Sequence, residues 1–146
     1  MSHYFCCMKK VMVFGTFDVL HQGHLNFFEQ AKKYGDYLIV VVARDATVQE
    51  VKKHKTTYTE QQRLLAVQNV PIVDLAVLGN TEDKYKIIEE HNPDIICLGY
   101  DQKAFTEKLQ GELIKRKVSA KIIRLQSYKE DVFKSSKIKA RMTIHP

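Results

Sequence analysis

The sequence has no apolar run approaching the roughly 18 residues that a membrane-spanning helix needs. Its longest such run, residues 37–43, is the length of a strand. No membrane partner is expected. The N-terminus lacks the basic, apolar and cleavage regions of a secretory leader, so a cytoplasmic location is the default expectation. Cysteine is scarce, with Cys6, Cys7 and Cys97 alone. Adjacent cysteines rarely bridge each other and an odd number leaves one over, so no disulfide framework is expected and a reducing compartment fits. His3, Cys6 and Cys7 match no zinc spacing. Aromatic and basic side chains do not interleave as in a stacking platform for single strands, and the lysines are scattered rather than blocked. The net charge of +6 is therefore read as suiting a phosphorylated small molecule rather than nucleic acid. Internal repeats, low-complexity tracts and linker-like stretches are all missing.

What is present suits one domain. At 146 residues and 45% hydrophobic composition the chain can build a sizeable core without staples. Residues 1–8 read as an N-terminal extension, a candidate for disorder, and residues 9–146 as the domain itself.

Short apolar runs alternate with helical spacings along that domain. Residues 11–14 form a buried strand that stops at Gly15. Residues 23–34 carry Leu25, Phe27, Phe28 and Ala31 at helical spacing, with Gly35 expected as a C-terminal glycine. Residues 37–43 are apolar on both faces, as in a central parallel strand. Residues 44–55 predict a short helix followed by a basic loop. Thr59 and Gln62 predict a capping box opening a helix that runs to about Asn69. Beyond it come a strand over 73–78, a helix over 82–91 stopped by Asn92 and Pro93, a strand over 94–98, a helix over 103–117, a strand over 121–125 and a short helix capped by Ser135 or Ser136. This rhythm predicts an α/β fold: a Rossmann-like parallel sheet with helices on both faces, in a single domain. Ligands of such sheets bind beyond the carboxyl ends of the strands. Three segments fall there: residues 15–24, the loop ending at Lys55, and residues 99–102.

The first of these carries the strongest chemistry. Gly15-Thr16-Phe17-Asp18 follows a strand, and His21-Gln22-Gly23-His24 opens a helix. A helix N-terminus offers unpaired N–H groups and the positive end of a dipole, so it attracts phosphate. Gly15 and Gly23 allow a ligand close to the backbone. His21 and His24 lie three residues apart, so both can reach one anion and stabilise charge growing on a phosphoryl oxygen. Asp18 reads equally as a ligand or as a turn or capping aspartate. Lys53 and Lys55 are the candidates in the basic loop, and Arg63 offers a planar fork for phosphate.

The stretch Gly-Thr-Phe-Asp-Val-Leu-His-Gln-Gly-His over residues 15–24 resembles the signature of the cytidylyltransferase-like nucleotidyltransferase superfamily. That resemblance implies a Rossmann-like domain that moves a nucleoside monophosphate from a triphosphate to a phosphorylated acceptor, releasing pyrophosphate with Mg²⁺ and no covalent intermediate. It implies His21, His24 and Lys53 as catalytic groups. Gly15, Thr16, Phe17, Asp18, Gly23, Gly99, Asp101, Tyr128, Ser135 and Ser136 would lie at the nucleotide, and Lys55 and Arg63 at the acceptor. The metal would come with the triphosphate, with no protein side chain as a direct ligand. Relatives are often dimers, so a homodimer is open, although Leu25, Phe27 and Phe28 read first as core.

Two subfamilies compete. Glycerol-3-phosphate cytidylyltransferases place Gly-Asp-Asp-Trp after the fourth strand, whereas this chain has Gly99-Tyr100-Asp101-Gln102. The chain is more similar to archaeal-type FAD synthases in Val42-Ala43-Arg44-Asp45, in Asp101-Gln102 and in the segment from Tyr128-Lys129 to Ser135-Ser136. Adenylyl transfer from ATP to FMN is therefore the leading expectation. Cytidylyl transfer from CTP to glycerol-3-phosphate or a related phospho-alcohol is the alternative. A catalytically silent nucleotide-binding regulator is the reading from another class.

Overall fold

Side chains that alternate along a strand point to opposite sides of its sheet, and three strands here are apolar on both sides. A computed structural model describes residues 8–52, 56–99 and 108–126. In β1 (Lys10–Gly15) Val11 and Val13 face one side and Met12 the other. In β2 (Tyr37–Val42) Leu38, Val40 and Val42 join the first side, Ile39 and Val41 the second. In β4 (Ile95–Leu98) Ile95 and Cys97 split from Ile96 and Leu98 in the same way. Such strands need cover on both faces. The sheet gains it from helices on each, with β3 (Leu75–Leu78) and β5 (Lys121–Arg124) at its edges.

The order is β3-β2-β1-β4-β5 and every pairing is parallel. The chain runs outward from β1 to β3, then returns to the other side of β1 for β4 and β5. The crossover leaves a crevice between the carboxyl ends of β1 and β4, which is where open α/β sheets bind ligands. The expected α/β sheet with helices on both faces is thus what the structure has.

Five helices connect these strands among the described residues: α1 (Gln22–Lys32), α2 (Asp45–Lys52), α3 (Glu60–Gln68), α4 (Lys86–His91) and α5 (Leu109–Lys115). Phe28 and Ala31 of α1 and Val67 of α3 pack on the first face; Ile87 and Ile88 of α4 and Leu109 and Leu113 of α5 pack on the second. Leu25 and Phe27 pack against the first cluster, so the core reading of that aromatic group holds. Arg116 ties the second face together through ion pairs with Asp83 at 3.0 Å, Glu112 at 2.9 Å and Glu89, and it lies over the Tyr85 ring.

The local stop signals fared unevenly. Thr59 caps α3 and Gln62 reaches back to the Thr59 N–H, which closes the expected capping box. Asn92 ends α4 in the left-handed region at φ 44°, a conformation asparagine tolerates better than most residues. Gly35, expected as a left-handed terminator, has no positive φ. It is small for another reason: a Cβ there would meet Val11 Cγ2 at 2.6 Å and the Lys9 carbonyl at 2.8 Å. The helix expected from residue 82 begins at Lys86. Asn80 Oδ1 accepts from the Glu82 and Asp83 N–H groups and Asp83 Oδ1 from Tyr85 N–H, and such side-chain turns compete with helix. The strand expected from 73 starts at Leu75, because Val73 N–H is held in a turn by Val70 O. Of the helix expected over 103–117, the described part is α5; its first turns and the closing helix at Ser135–Ser136 lie outside the described residues.

Candidate functional site

The turn after β1 sits at the crevice. Gly15 closes the strand, and its carbonyl accepts from Ala43 N–H at 2.9 Å, which aligns the carboxyl ends of β1 and β2. A Cβ on Gly15 would meet Phe17 Cζ at 2.5 Å. The Phe17 ring therefore lies flat against this glycine. Phe17 takes φ 52°, a conformation that costs a bulky residue on the order of 1–3 kcal/mol. Packing holds it there: its ring is 4% exposed and meets Phe28 at 5.2 Å and Phe27 at 6.5 Å between centroids. Its edge contact with His24, 5.4 Å between centroids, makes it a buttress behind the histidine. Its side chain is thus committed to the core behind the turn.

The two histidines open α1. His21 is its N-cap, in extended conformation, and Nδ1 accepts from Gly23 N–H at 3.0 Å. His24 Nδ1 accepts in return from His21 N–H at 3.3 Å. Their rings stack with centroids 3.9 Å apart. The expected pairing of His21 and His24 is thus realised, and His21 itself stays exposed. Anion attraction at this helix end follows from the positive end of its dipole, since the Gly23 N–H is taken by His21 Nδ1. No acidic residue in the first turn of α1 opposes it.

Asp18 turns away from the helix and towards residues 56–58. Its carboxylate accepts from Thr57 N–H at 2.7 Å and Tyr58 N–H at 2.9 Å. These bonds, the one from Thr57 first, hold its carboxyl below the usual carboxylate range despite opposing desolvation. Of the two roles read for Asp18, the turn role has a visible geometry: it ties the motif to the chain that follows the lysine loop.

Arg63 departs most from expectation. Read as a planar fork for an acceptor phosphate, it is 1% exposed. Nη1 donates to the Thr16 and Ala43 carbonyls, both at 2.8 Å, Nε donates to Tyr58 O at 3.2 Å, and Nη2 donates to Asp45 at 2.6 Å. The guanidinium is consumed inside the fold, clamping the ends of β1 and β2 to the start of α3. The Arg63 hydrogen bond is also the leading reason that the Asp45 carboxyl is held below its ordinary range.

Sequence reasoning gave Asp45 and Glu60 no role, and the structure makes them a reciprocal cap. Glu60 Oε1 accepts from Asp45 N–H at 2.8 Å, while Asp45 Oδ2 accepts from Glu60 N–H at 3.2 Å. Arg44 joins them, donating to Gly79 O at 2.8 Å and pairing with Glu60 at 3.1 Å. The available signal was an acid in the first turn of each helix. Gln30 was also passed over. Its amide donates to Asn26 Oδ1 at 2.7 Å and Gln126 O at 3.0 Å, and accepts from Gln126 N–H at 3.3 Å.

On the other side of the crevice Gly99 follows β4, and its carbonyl accepts from Arg124 at 2.7 Å. Lys53, Lys55, Tyr100, Asp101, Gln102, Tyr128, Ser135 and Ser136 lie outside the described residues. Among the described residues no group of three or more His, Cys, Asp or Glu side chains could hold a metal ion, and no helix is long and apolar enough to cross a membrane. Cys97 is buried in β4, and burial pushes its thiol up to about 12. That rules it out as a ready nucleophile.

Known proteins resemble this chain. The chain is 47% identical over 121 residues to an FAD synthase of Aciduliprofundum boonei, covering 83% of this chain and 80% of that one. It is 48% identical over 124 residues to an FAD synthase of Ferroglobus placidus, covering 85% and 80%. A solved structure from Thermoplasma volcanium, described as a lipopolysaccharide core biosynthesis protein, superposes with a TM-score of 0.79 at 41% identity, over 83% of this chain and 98% of that one. The model of the Cytidylyltransferase-like family matches residues 12–141, and the chain belongs to that family.

Proposed function

We propose that the protein is an FMN adenylyltransferase, forming FAD and pyrophosphate from ATP and FMN. The observation that carries the reaction class is the histidine pair at the N-terminus of α1, seated at the crossover of the sheet. The choice of ATP and FMN is supported by relatives named FAD synthase at 47% and 48% identity.

The chemistry asks little of the protein beyond placement and charge stabilisation. A phosphate oxygen of FMN attacks the α-phosphorus of ATP in line. A new P–O bond forms, the α–β bridging P–O bond breaks, and negative charge moves onto the pyrophosphate. The acceptor phosphate is already an anion, so no base need activate it. Ring N–H groups of His21 and His24 and the positive end of the α1 dipole stabilise the charge as it builds. Lys53 would add a positive charge at the triphosphate and Lys55 one at the acceptor. Gly99, Asp101, Tyr128, Ser135 and Ser136 are proposed at the nucleotide. Mg²⁺ fits as a passenger of the triphosphate, since hard cations of this kind bind through phosphate oxygens and water without a protein cage; bound there it would screen charge on the phosphates.

The test is direct. Protein, Mg²⁺ and FMN are incubated with ATP or with CTP, and FAD and pyrophosphate are quantified; a parallel arm holds CTP and glycerol-3-phosphate. FAD is expected with ATP, and His24→Ala is expected to abolish pyrophosphate release while circular dichroism stays unchanged. CDP-glycerol without FAD would replace this reading with cytidylyl transfer. Nucleotide binding with no turnover on either acceptor would leave a silent regulator.

A further inference from the structure

The inner strands of this sheet carry little information about their own alignment. In most sheets a slip of one place turns an apolar set outward and a polar set inward, and that penalty fixes the register. Here β1, β2 and β4 are apolar on both faces. A slip of one place exchanges Val11 for Met12, or Leu38 for Ile39, and leaves apolar against apolar. Something other than the hydrophobic pattern has to align them.

The amino-terminal rim of the sheet supplies it three times over. Asp36 precedes β2 and stands opposite Lys9; Asp74 precedes β3 and stands opposite Leu38; Asp94 precedes β4 and stands opposite Lys10. Each makes the same two bonds to the residue it faces. Asp36 N–H donates to Lys9 O at 2.8 Å, and its carboxylate accepts from Lys9 N–H at 3.0 Å. Asp74 N–H donates to Leu38 O at 3.1 Å, and its carboxylate accepts from Leu38 N–H at 2.7 Å. Asp94 N–H donates to Lys10 O at 2.9 Å, and its carboxylate accepts from Lys10 N–H at 2.9 Å. All three aspartates are exposed.

We propose that Asp36, Asp74 and Asp94 set the register of the sheet, one for each parallel pairing from β3 through to β4. Each clip is satisfied at a single alignment. Sliding the clipped strand one place towards the carboxyl ends draws its aspartate into the ladder, where a charge is costly to bury. Sliding it the other way carries the carboxylate past the N–H it accepts. β5 lacks the device, with Ala120 in the equivalent place, and does not need it: its exposed ends Lys121 and Arg124 mark its alignment by charge. The alignment fixed at this rim reaches the opposite one, where Gly15 stands level with Val42 and Val42 with Leu78. The turn that bears the histidines is thus placed from the far end of the strands.

Amide hydrogen exchange of the full chain, read by NMR, tests each clip separately. Asp36→Ala should speed exchange at Lys9, Asp74→Ala at Leu38 and Asp94→Ala at Lys10, each about threefold to tenfold and with little effect on the other two. Asparagine keeps an acceptor oxygen, so the three Asp→Asn variants should hold most of the protection. Alignment itself is read from cross-strand Hα-to-amide contacts in the triple Ala variant, or in the Asp36→Ala/Asp74→Ala pair should the triple variant fail to fold. A second set of contacts, one or two places out of step, is expected there and absent from the matching Asn variants. A single native set in the folded Ala variant, however much protection had fallen, would show that apolar packing aligns the strands unaided and would overturn the proposal.

Discussion

Replacing Arg63 by Met removes the clamp while keeping a side chain that fills much of the same space. Four hydrogen bonds disappear, to Thr16 O, Ala43 O, Tyr58 O and the Asp45 carboxylate. The Asp45 side chain is 42% exposed and Tyr58 is an exposed residue, so water can stand in there and little is charged to those two. The two carbonyls that face Nη1 remain. At about 1–3 kcal/mol for each acceptor stranded without a donor, the loss is about 2–6 kcal/mol. In a domain of this size each kcal/mol moves the melting midpoint by about 2–4 °C, so a fall of roughly 4–24 °C is expected. Calorimetry measures it, beside steady-state kinetics at a temperature where the variant is folded. Because Thr16 and Ala43 mark the carboxyl ends of β1 and β2, kcat should fall with stability while KM for FMN changes little. A variant with an unchanged midpoint and a selectively raised KM for the phosphorylated acceptor would refute the clamp and return Arg63 to the acceptor site.

Two further outcomes follow from the same neighbourhood. The Asp18 carboxyl sits below its ordinary range because it accepts the Thr57 and Tyr58 N–H groups; its contribution to stability is complete above the unfolded value of about 3.9 and fades as pH falls through the lower folded value. Melting midpoints followed from pH 7 down to 2 should therefore fall less steeply below about pH 4 for Asp18→Asn than for wild type, and identical slopes would contradict the tether. Gly15→Ala presses a Cβ to 2.5 Å from Phe17 Cζ, against a ring already confined by Phe28 and His24. Overpacking of that kind costs about 1–3 kcal/mol, and displacement of the buttress should cut FAD formation more than it cuts the melting midpoint; a variant unaltered in both would show that the ring has room to move.

How much was legible follows from how local each signal is. Alternation of apolar runs with helical spacings depends on neighbours in sequence, and β1, β2, β4 and the helices between them stand close to where that pattern put them. The Thr59 box and the Asn92 stop are equally local and were legible for that reason. Gly35 was read as a helix terminator because glycine often is one; its actual constraint comes from Val11 and Lys9, more than twenty positions away. The same distance hid Arg63, whose carbonyl partners belong to two different strand ends. Within the motif, the pairing of His21 and His24 was legible from their spacing, but their mutual capping was not, since imidazole is an unusual occupant of both cap positions. Phe17 reads as a ligand contact when only the turn is considered and as a buttress once Phe27 and Phe28 return to it from α1.

Gln30 deserves a mechanical reading. With one amide it holds both the N–H and the carbonyl of Gln126, as a neighbouring strand would. It stands on α1, six residues or about 9 Å along the helix axis from His24. The helix that presents the histidines and the chain leaving β5 are thereby fastened into one body. Moving them apart costs both of these hydrogen bonds, so the amide pair opposes that separation at a distance from the histidines.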